Sequence, residues 1–269
     1  MRLAMLGVRG STPAPGPAFT RYGGNTSCVA VLPDGVPGGL PGELPGDGDV
    51  PALVLDAGTG LRGLGRLLGD AAFRGSIVLT HLHWDHMQGL PFCPALDRPD
   101  ARVDLYLPSP RPLETLTRVM SPPHFPITPD GLGGAWRFLT SASRPIEGFD
   151  VTVAEISHKG GTTLGVRVER DGRSIAYLPD HCPQAGCEAA AELAAGVDLL
   201  LHDGQFLPGE RALADAYGHA TTADAAAFAA RCGARRLVLT HHAPTRTDDA
   251  LDVLAKEFEV AREGDVLVV

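Results

Sequence analysis

The sequence has few cysteines, an excess of acidic over basic side chains, and no long apolar run. Five scattered cysteines among 269 residues favour a reducing compartment over a disulfide framework. With 23 basic and 32 acidic residues, the net charge of −9 argues against a broad nucleic-acid or anionic-membrane surface. No stretch approaches the roughly 18 apolar residues of a membrane-spanning helix, and residues 1–7 lack the apolar core of a signal peptide. We therefore expect a cytoplasmic protein that has no membrane partner.

Aromatic residues are also scarce, whereas 33 glycines and 23 prolines imply many tight turns between short elements. Runs rich in Val, Ile and Leu predict strands at Arg2–Val8, Ser27–Leu32, Ala52–Asp56, Ser76–Thr80, Arg102–Leu107, Val151–Ile156, Thr162–Arg170, Ser174–Leu178, Asp198–His202, Arg236–Thr240 and Asp265–Val269. Helical spacing and start signals predict helices at Gly60–Leu68, Arg111–Met120, Cys187–Ala195, Thr221–Cys232 and Asp248–Phe258. This order of elements indicates a layered α/β structure with mixed sheets.

No internal repeat and no linker divides the chain, so we interpret residues 1–269 as a single domain. Residues 33–51 form a Gly/Pro-rich stretch between two predicted strands, which is typical of an insertion loop at the surface. Residues 121–134 differ, because apolar side chains stand there among prolines, as in a stiff loop that covers a site. We interpret the surrounding region, residues 108–140, as a candidate lid.

The strongest chemical signal is the run Thr80-His81-Leu82-His83-Trp84-Asp85-His86, which follows an apolar strand. Side chains two residues apart at a strand end face the same way, so His81 and His83 are predicted to converge on one point. Asp85 and His86 fall in the following turn and can serve a second point nearby. Imidazole and carboxylate ligands suit Zn²⁺, Mn²⁺ or Fe. A polar loop without a metal is the alternative, but three histidines and an aspartate within six residues make it a poor explanation.

This HxHxDH run resembles the signature of the metallo-β-lactamase fold hydrolases. Four further segments resemble other motifs of that family, in the same order: Asp56–Gly60, His158, Tyr177–Asp180 and Thr240–His241. The resemblance covers nearly the whole chain. It implies a four-layer αββα sandwich with two metal ions at one edge, Zn²⁺ being expected and Mn²⁺ or Fe being alternatives.

Within that superfamily the chain resembles the ribonuclease Z and phosphodiesterase branch, through Leu201–Gly204 and Gly218–Thr221. The resemblance assigns one metal to His81, His83 and His158, the other to Asp85, His86 and His241, and Asp180 to both. It also implies that His219 protonates the leaving oxygen, oriented either by Asp85 or by Asp203. Asp85, Asp180 and His219 are thus the expected catalytic residues. A histidine that merely begins a helix is the alternative reading of His219.

Other polar residues carry weaker signals. His124, His181, His202 and His242 are each near a motif or in the apolar loop. A surface or packing role explains His124, His181 and His242 better than a role in the site, and both explanations suit His202 equally. Asp56 is expected to orient the loop of residues 80–86 through hydrogen bonds rather than to bind metal, because ligating histidines commonly need such partners.

One departure from the resembled family narrows the range of possible substrates. Only 21 residues separate His158 from Asp180, which leaves no room for the long arm with which tRNA-processing members hold tRNA. Together with the acidic charge, this predicts no tRNA partner and a small substrate. Arg9, Arg21, Lys159 and Arg246 are the basic residues available for a phosphate.

We therefore predict a dinuclear metal hydrolase that cleaves a small or cyclic phosphodiester through a hydroxide bridging the two metals, with His219 as general acid. Three alternatives stay open: a lactone, ester or thioester hydrolase on the same centre, a compact ribonuclease Z-like endoribonuclease, and a sensor that binds a nucleotide without turnover. Because members of the resembled superfamily often form homodimers, that state is kept as an alternative to a monomer.

Overall fold

The computed structural model describes residues 1–33 and 50–269. The predicted insertion at 33–51 therefore lies outside the described residues, except at its two ends. No helix in the described part of the chain combines the length and the apolar character needed to cross a bilayer.

The strands of the described residues form two mixed sheets. Their bounds are β1 Arg2–Gly7, β2 Cys28–Leu32, β3 Leu53–Leu55, β4 Arg74–Val78, β5 Arg102–Leu107, β6 Ala135–Thr140, β7 Arg144–Ile146, β8 Phe149–Ile156, β9 Thr163–Arg170, β10 Arg173–Leu178, β11 Leu199–Asp203, β12 Leu237–Thr240, β13 Glu259–Val260 and β14 Val266–Val268. The first sheet has the order β14-β1-β2-β3-β4-β5-β6, and the second has β13-β12-β11-β10-β9-β8-β7. All eleven predicted strands are present within two residues at each end. Strands β6, β7 and β13 were not predicted, because two are very short and β6 carries few β-branched residues.

Helices cover the outer faces of both sheets. Their bounds are α1 Leu64–Leu68, α2 Trp84–Met87, α3 Pro112–Thr117, α4 Glu188–Leu193, α5 Arg211–Tyr217, α6 Thr222–Cys232 and α7 Asp248–Leu254. The predicted segments contain α1, α3, α4, α6 and α7. The sequence analysis missed α2, which lies inside the histidine-rich run, and α5.

Alternation along the strands explains the layers, since successive side chains point to opposite faces of a sheet. From β1, Leu3 and Met5 pack inward against Val166 and Tyr177 of the second sheet. The neighbouring side chains of β1 point outward into a separate core beneath α1. On the far side, apolar side chains of the second sheet pack against α4 and α6. The result is the expected αββα sandwich.

Parallel pairing brings several strand ends to one edge. Strands β3 and β4 are parallel neighbours in the first sheet, and β10, β11 and β12 are parallel in the second. Their carboxyl ends therefore open toward the same edge, which is where α/β sheets usually bind ligands. The motifs at Asp56, residues 81–86, Asp180, Asp203 and His241 lie at or directly after these ends. His158 follows the antiparallel strand β8, and residues 218–221 lie between α5 and α6.

Candidate metal centre

The HxHxDH run folds as a short loop followed by one helical turn. Strand β4 ends at Val78 and α2 begins at Trp84, with His83 as its extended N-cap residue. This geometry turns Nε2 of His81 and Nδ1 of His83 toward each other at 2.9 Å. Asp85 and His86 lie in the helical turn and are buried.

A first group of possible ligands contains His81, His83, His158 and Asp180. Nδ1 of His158 donates to the carbonyl oxygen of Gly218 at 2.8 Å, which turns Nε2 inward to 3.4 Å from Nδ1 of His83. Oδ2 of Asp180 lies 3.7 Å from Nε2 of His81 and 3.5 Å from Nε2 of His158. Four ligand atoms from three separate segments thus surround one point.

A second group contains Asp85, His86, His241 and Asp180. Nε2 of His86 lies 3.3 Å from Oδ2 of Asp85 and 3.3 Å from Nε2 of His241. Oδ1 of Asp180 lies 3.0 Å from Nε2 of His86 and 3.1 Å from Nε2 of His241. The two oxygens of Asp180 therefore face different groups, which is the geometry of a bridging carboxylate.

These spacings fit metal ions. Tetrahedral ligands about 2.1 Å from a zinc ion stand about 3.4 Å apart, and the separations within both groups lie close to that value. Within the described part of the chain, Oδ1 of Asp180 is buried and accepts no hydrogen bond with acceptable geometry. A buried anionic oxygen without a donor is costly unless a cation meets it. The donor set is therefore suited to two divalent ions that share Asp180.

The protonation states agree with this fit. Burial lowers the pKa values of His81, His83 and His158, which leaves neutral imidazoles with free lone pairs. Although burial disfavours the Asp180 carboxylate, its electrostatic interactions with the surrounding imidazoles, those of His241 and His86 foremost, hold its pKa well below the usual range. Burial alone would lower the pKa of His86, but the carboxylates of Asp180, Asp56 and Asp85 raise it well above its usual value. The second group thus demands a positive charge, which a metal ion supplies in place of a proton.

Asp56 orients the second group through hydrogen bonds and does not belong to it, as expected from the sequence. It follows β3 in a left-handed conformation, with φ of 59°. Its carboxylate accepts hydrogen bonds from Nδ1 of His86 at 2.7 Å, from the backbone and hydroxyl of Thr80, and from the hydroxyl of Tyr177 at 3.0 Å. Because Nδ1 of His86 is held there, Nε2 must face the candidate metal position.

The loop after β1 supports the other members of the second group, which the sequence analysis did not foresee. The backbone N–H of Ser11 donates to Oδ2 of Asp85 at 2.7 Å. The N–H of Gly10 donates to the carbonyl of His242, whose own N–H donates to Val8. Gly10 lies so close to His241 that a Cβ would be 2.4 Å from Nδ1. The sequence could not predict these contacts, because they are made by backbone N–H groups, which nearly every residue type carries.

His219 lies between the two groups. Its ring centroid is 4.8 Å from that of His158 and 5.3 Å from that of His241. Nδ1 donates to Oδ2 of Asp203 at 2.7 Å. Burial works against the charged ring, but Asp203 outweighs it and raises the pKa of His219 to about 9. Two carboxylates were expected to orient His219, and the structure shows a hydrogen bond to one of them, Asp203. The Asp203 carboxylate also accepts hydrogen bonds from the backbone N–H groups of His181, Gln205 and Ala220.

A cavity of about 780 Å³ opens in front of these residues and is lined by His83, Asp85, His158, Asp180 and His219. Its volume suits a small molecule. Of the four basic residues considered for phosphate binding, Lys159 lines this cavity, and its Nζ donates to the carbonyl of Ala216 at 2.7 Å.

The three arginines are directed elsewhere. Arg9 is fully buried and donates to backbone carbonyls, including that of Arg246 at 2.6 Å. Arg21 pairs with exposed aspartates of α7, and Arg246 pairs with Glu210. The expectation that they face a phosphate was therefore wrong, because each is needed to satisfy local carbonyls or carboxylates.

The weaker histidine candidates lie outside both groups. His181 and His202 are buried behind the site, with Nδ1 of His181 2.9 Å from Nε2 of His202. His242 is buried and donates to the carbonyl of Ala261 at 2.9 Å. His124 is exposed and lines a different cavity from the one at the candidate metal centre.

The family model described as the beta-lactamase superfamily domain matches residues 52–242, and the chain belongs to this family. Its histidine and aspartate groups provide candidate ligands for divalent metal ions, as the resemblance implied.

Among the relatives that it matches, the chain is similar to ribonuclease Z proteins. That of Synechococcus sp. (strain WH7803) is 29% identical over 238 residues, covering 67% of this chain and 73% of the relative. That of Nocardia farcinica is 38% identical over 123 residues, covering 46% of this chain and 35% of the relative. That of Exiguobacterium sp. is 46% identical over 70 residues, covering 26% of this chain and 22% of the relative. The last two matches thus span about a third of a relative's length or less.

Solved structures show the same fold. A diphosphatase from the PhnP family matches with a TM-score of 0.70 at 20% identity, covering 100% of this chain and 97% of the other. The metallo-beta-lactamase fold protein YhfI from Bacillus subtilis matches with a TM-score of 0.69 at 19% identity, covering 99% of each chain. The short form of human tRNase Z matches with a TM-score of 0.66 at 23% identity, covering 100% of this chain and 99% of the other.

Proposed function

We propose that this protein is a dinuclear metal-dependent phosphodiesterase that hydrolyses a small or cyclic phosphodiester. His81, His83 and His158 would hold one ion, Asp85, His86 and His241 the other, and Asp180 both. The observation that carries the proposal is the placement of His219, held by Asp203, between two ligand groups that share a carboxylate.

The chemistry divides between the ions and the chain. When bound, two divalent cations lower the pKa of a water molecule and stabilise charge on the phosphoryl oxygens. The chain supplies the proton for the leaving group. Because Nδ1 of His219 is bonded to Asp203, Nε2 is the nitrogen left to face the cavity and to protonate an alkoxide. The Asp203 carboxylate keeps the ring oriented and stabilises its charged form.

Two features support a small diester over a large nucleic acid, and a third supports phosphoryl chemistry in general. The cavity of about 780 Å³ is of small-molecule size. The segment between His158 and Asp180 is a hairpin of β9 and β10, joined at Asp171 and Gly172, with no projecting arm. The relatives named ribonuclease Z and the neighbour named diphosphatase indicate phosphoryl chemistry in related proteins.

The test compares two leaving groups after metal analysis. We expect zinc- or manganese-loaded protein to hydrolyse both bis(p-nitrophenyl) phosphate and a 2′,3′-cyclic phosphodiester. His219→Ala should lower kcat on the cyclic diester by about 10²- to 10⁴-fold, since its alkoxide needs a proton. The loss on the p-nitrophenyl ester should be below about tenfold, because p-nitrophenolate leaves unprotonated. Unchanged metal content would show that the defect is chemical.

Val253→Ala is the control, because Val253 is 63% exposed on α7 and lines neither the metal cavity nor its neighbour. Equal losses on both substrates would contradict the role of His219. Turnover of lactones or thioesters, with both diesters untouched, would replace the phosphodiesterase proposal by the alternative ester class. Cleavage of single-stranded RNA alone would favour the endoribonuclease alternative.

A further inference from the structure

A second cavity adjoins the metal cavity and has a different character. It encloses about 480 Å³, and its walls include Met87, Pro91, Phe92, Met120 and Phe125. One residue, Trp84, lines both cavities. The two spaces are therefore neighbours that meet at Trp84.

The chain connects the apolar wall directly to the ligands. Trp84 stands between His83 and Asp85 in sequence and begins α2, and Met87 follows three residues later on the same helical face. The other face of this turn carries Asp85 and His86 into the second ligand group. A molecule that contacts Trp84 is thus bound at a residue whose two neighbours in the chain, His83 and Asp85, are candidate ligands.

The apolar wall is strongly exposed. The exposed fraction is 73% for Trp84, 54% for Phe92 and 40% for Val119. The ring of Phe92 also meets that of Phe125 edge-on at 5.9 Å, which ties the segment after α2 to the proline-rich loop. Contiguous apolar surface of this kind usually marks a binding site.

The charged side chains at the edge of the second cavity indicate which kind of ligand group it can hold. Arg118 is the guanidinium on this wall, and it is already paired with Glu114 at 2.9 Å. His124 is exposed at the edge. The ligand portion that fills this space therefore needs no charge of its own. A cavity of about 150 Å³ is enough to hold benzene, so the space accommodates one aryl group or a comparable alkyl group.

We propose that this second cavity binds an uncharged aryl or alkyl arm of the substrate whose phosphodiester lies at the metal centre. This assignment rests on the proposed phosphodiesterase function. It makes Trp84 and Phe92 specificity-determining residues, with Trp84 contacting the arm where it leaves the phosphoryl group and Phe92 contacting its far end. The substrate class is then an amphiphilic diester, anionic at phosphorus and apolar on one side.

The kinetic test uses two diesters that share p-nitrophenolate as leaving group: phenyl p-nitrophenyl phosphate and methyl p-nitrophenyl phosphate. Phe92→Ala should lower kcat/KM for the phenyl diester by about 3- to 10-fold, mainly through KM. It should leave the methyl diester within about twofold of wild type. Since each variant is compared with wild type on the same substrate, the intrinsic reactivities of the two diesters cancel.

Trp84→Ala should give the same selectivity change, larger in size, and its metal content must match wild type because Trp84 adjoins two ligands. Val253→Ala is the matched control, since Val253 is 63% exposed on α7 and outside this cavity. A phenyl-to-methyl ratio that stays at the wild-type value in Phe92→Ala and Trp84→Ala would overturn the proposal.

A binding measurement separates this proposal from the catalytic one. The chain has two tryptophans, so Trp136→Phe leaves Trp84 as the sole indole fluorophore. Diphenylphosphinate, a phosphorus anion without a leaving group, should shift the Trp84 emission of the metal-loaded protein to shorter wavelength in a saturable way. Dimethylphosphinate should not. A shift without turnover of any diester would refute the phosphodiesterase function yet support the apolar site, and turnover without a shift would do the reverse.

A second copy of the chain is the competing occupant. Light scattering on wild type and Phe92→Asp tests it directly. If wild type is a dimer, the variant a monomer, and the phenyl-to-methyl ratio equal in both, then the apolar wall is a subunit contact and the substrate proposal is overturned.

Discussion

The two ligand groups share Asp180 but differ in composition and in access. The first joins three imidazoles to one carboxylate and opens to the cavity at His83, which is partly exposed. The second joins two imidazoles to two carboxylates, and all four residues are buried. The position held by the first group, the accessible position, is therefore rich in nitrogen. The position held by the second group, the deep position, is rich in oxygen and has buried ligands, of which Asp85 reaches the cavity wall.

The difference extends to the residues behind the ligands. In the first group, His158 is oriented by the carbonyl of Gly218. In the second group, Asp56 and the backbone of Ser11 hold His86 and Asp85. Supporting partners of this kind tune metal affinity by about 10- to 100-fold. We therefore expect the deep position to retain its ion longer than the accessible one, and the following variants test that asymmetry.

The largest effect should come from Asp180→Asn, which removes the carboxylate common to both groups. We expect both ions to be lost on dialysis and phosphodiester turnover to fall by at least about 100-fold, beyond what the loss of an indirect partner costs. Metal analysis by mass spectrometry and kcat measurement check this. Asp130→Asn, at an exposed aspartate, is the control. Retention of one full equivalent of metal by Asp180→Asn would show that the carboxylate is not shared.

Two glycines allow each group to be disturbed separately. A Cβ on Gly10 would lie 2.4 Å from Nδ1 of His241, and one on Gly160 would lie 2.8 Å from Nε2 of His83. Gly10→Ala should therefore lower the metal content from two to about one per chain by displacing His241. Gly160→Ala should do the same at the other position, with added strain of about 1–2 kcal/mol because φ is +96° there.

The two variants are distinguished by the kinetics of metal release to a chelator. Gly10→Ala should lose the slowly released ion, and Gly160→Ala the rapidly released one. Gly65→Ala, on α1 with no heavy atom within 4 Å of the added carbon, should keep both ions. If both variants lose the same ion, the two groups are not independent positions and the comparison is wrong.

The sequence predicted the ligands of the centre better than the contacts that support them. All seven expected ligands, His81, His83, Asp85, His86, His158, Asp180 and His241, fall into the two groups, because each stands in a short motif at a strand end. The supporting contacts were harder to predict. Asp56 could be predicted because its carboxylate is a hydrogen-bond acceptor that orients histidines. Ser11 instead donates from its backbone N–H, and Gly10 contributes only the absence of a Cβ beside His241.

The fold shows a similar limit. Long runs of β-branched and aliphatic residues predicted the central strands. The helix α2 was not predicted, because it is only four residues long and two of them, Asp85 and His86, are candidate ligands with low helix propensity. The segment of α5, Arg211–Tyr217, was not predicted as a helix, and an N-terminal Arg-Ala-Leu-Ala sequence is its only local sign. The partners of Arg9, Arg21 and Arg246 depend on distant segments that no local pattern specifies.

Asp56→Asn should weaken the deep position alone. The amide loses the negative charge that holds Nδ1 of His86 at 2.7 Å, so we expect metal affinity there to fall by about 10- to 100-fold. The accessible position should change by less than about threefold. Calorimetric titration of the metal-free protein, with circular dichroism to confirm folding, measures both. Equal weakening at the two positions would mean that Asp56 supports the whole centre through Thr80 instead.

Tyr177→Phe is the mildest test of the same contact. Burial, together with Asp56, raises the pKa of Tyr177 well above its usual value, so its hydroxyl remains a donor to Oδ2 of Asp56 at 3.0 Å. Removing one such hydrogen bond to a charged group costs about 1.5–3 kcal/mol, and only part of that cost reaches His86, because Asp56 keeps its other donors. We expect a three- to tenfold loss of metal affinity at the deep position, measured by the same titration. An effect as large as that of Asp56→Asn would show that the tyrosine, and not the carboxylate alone, fixes the orientation of His86.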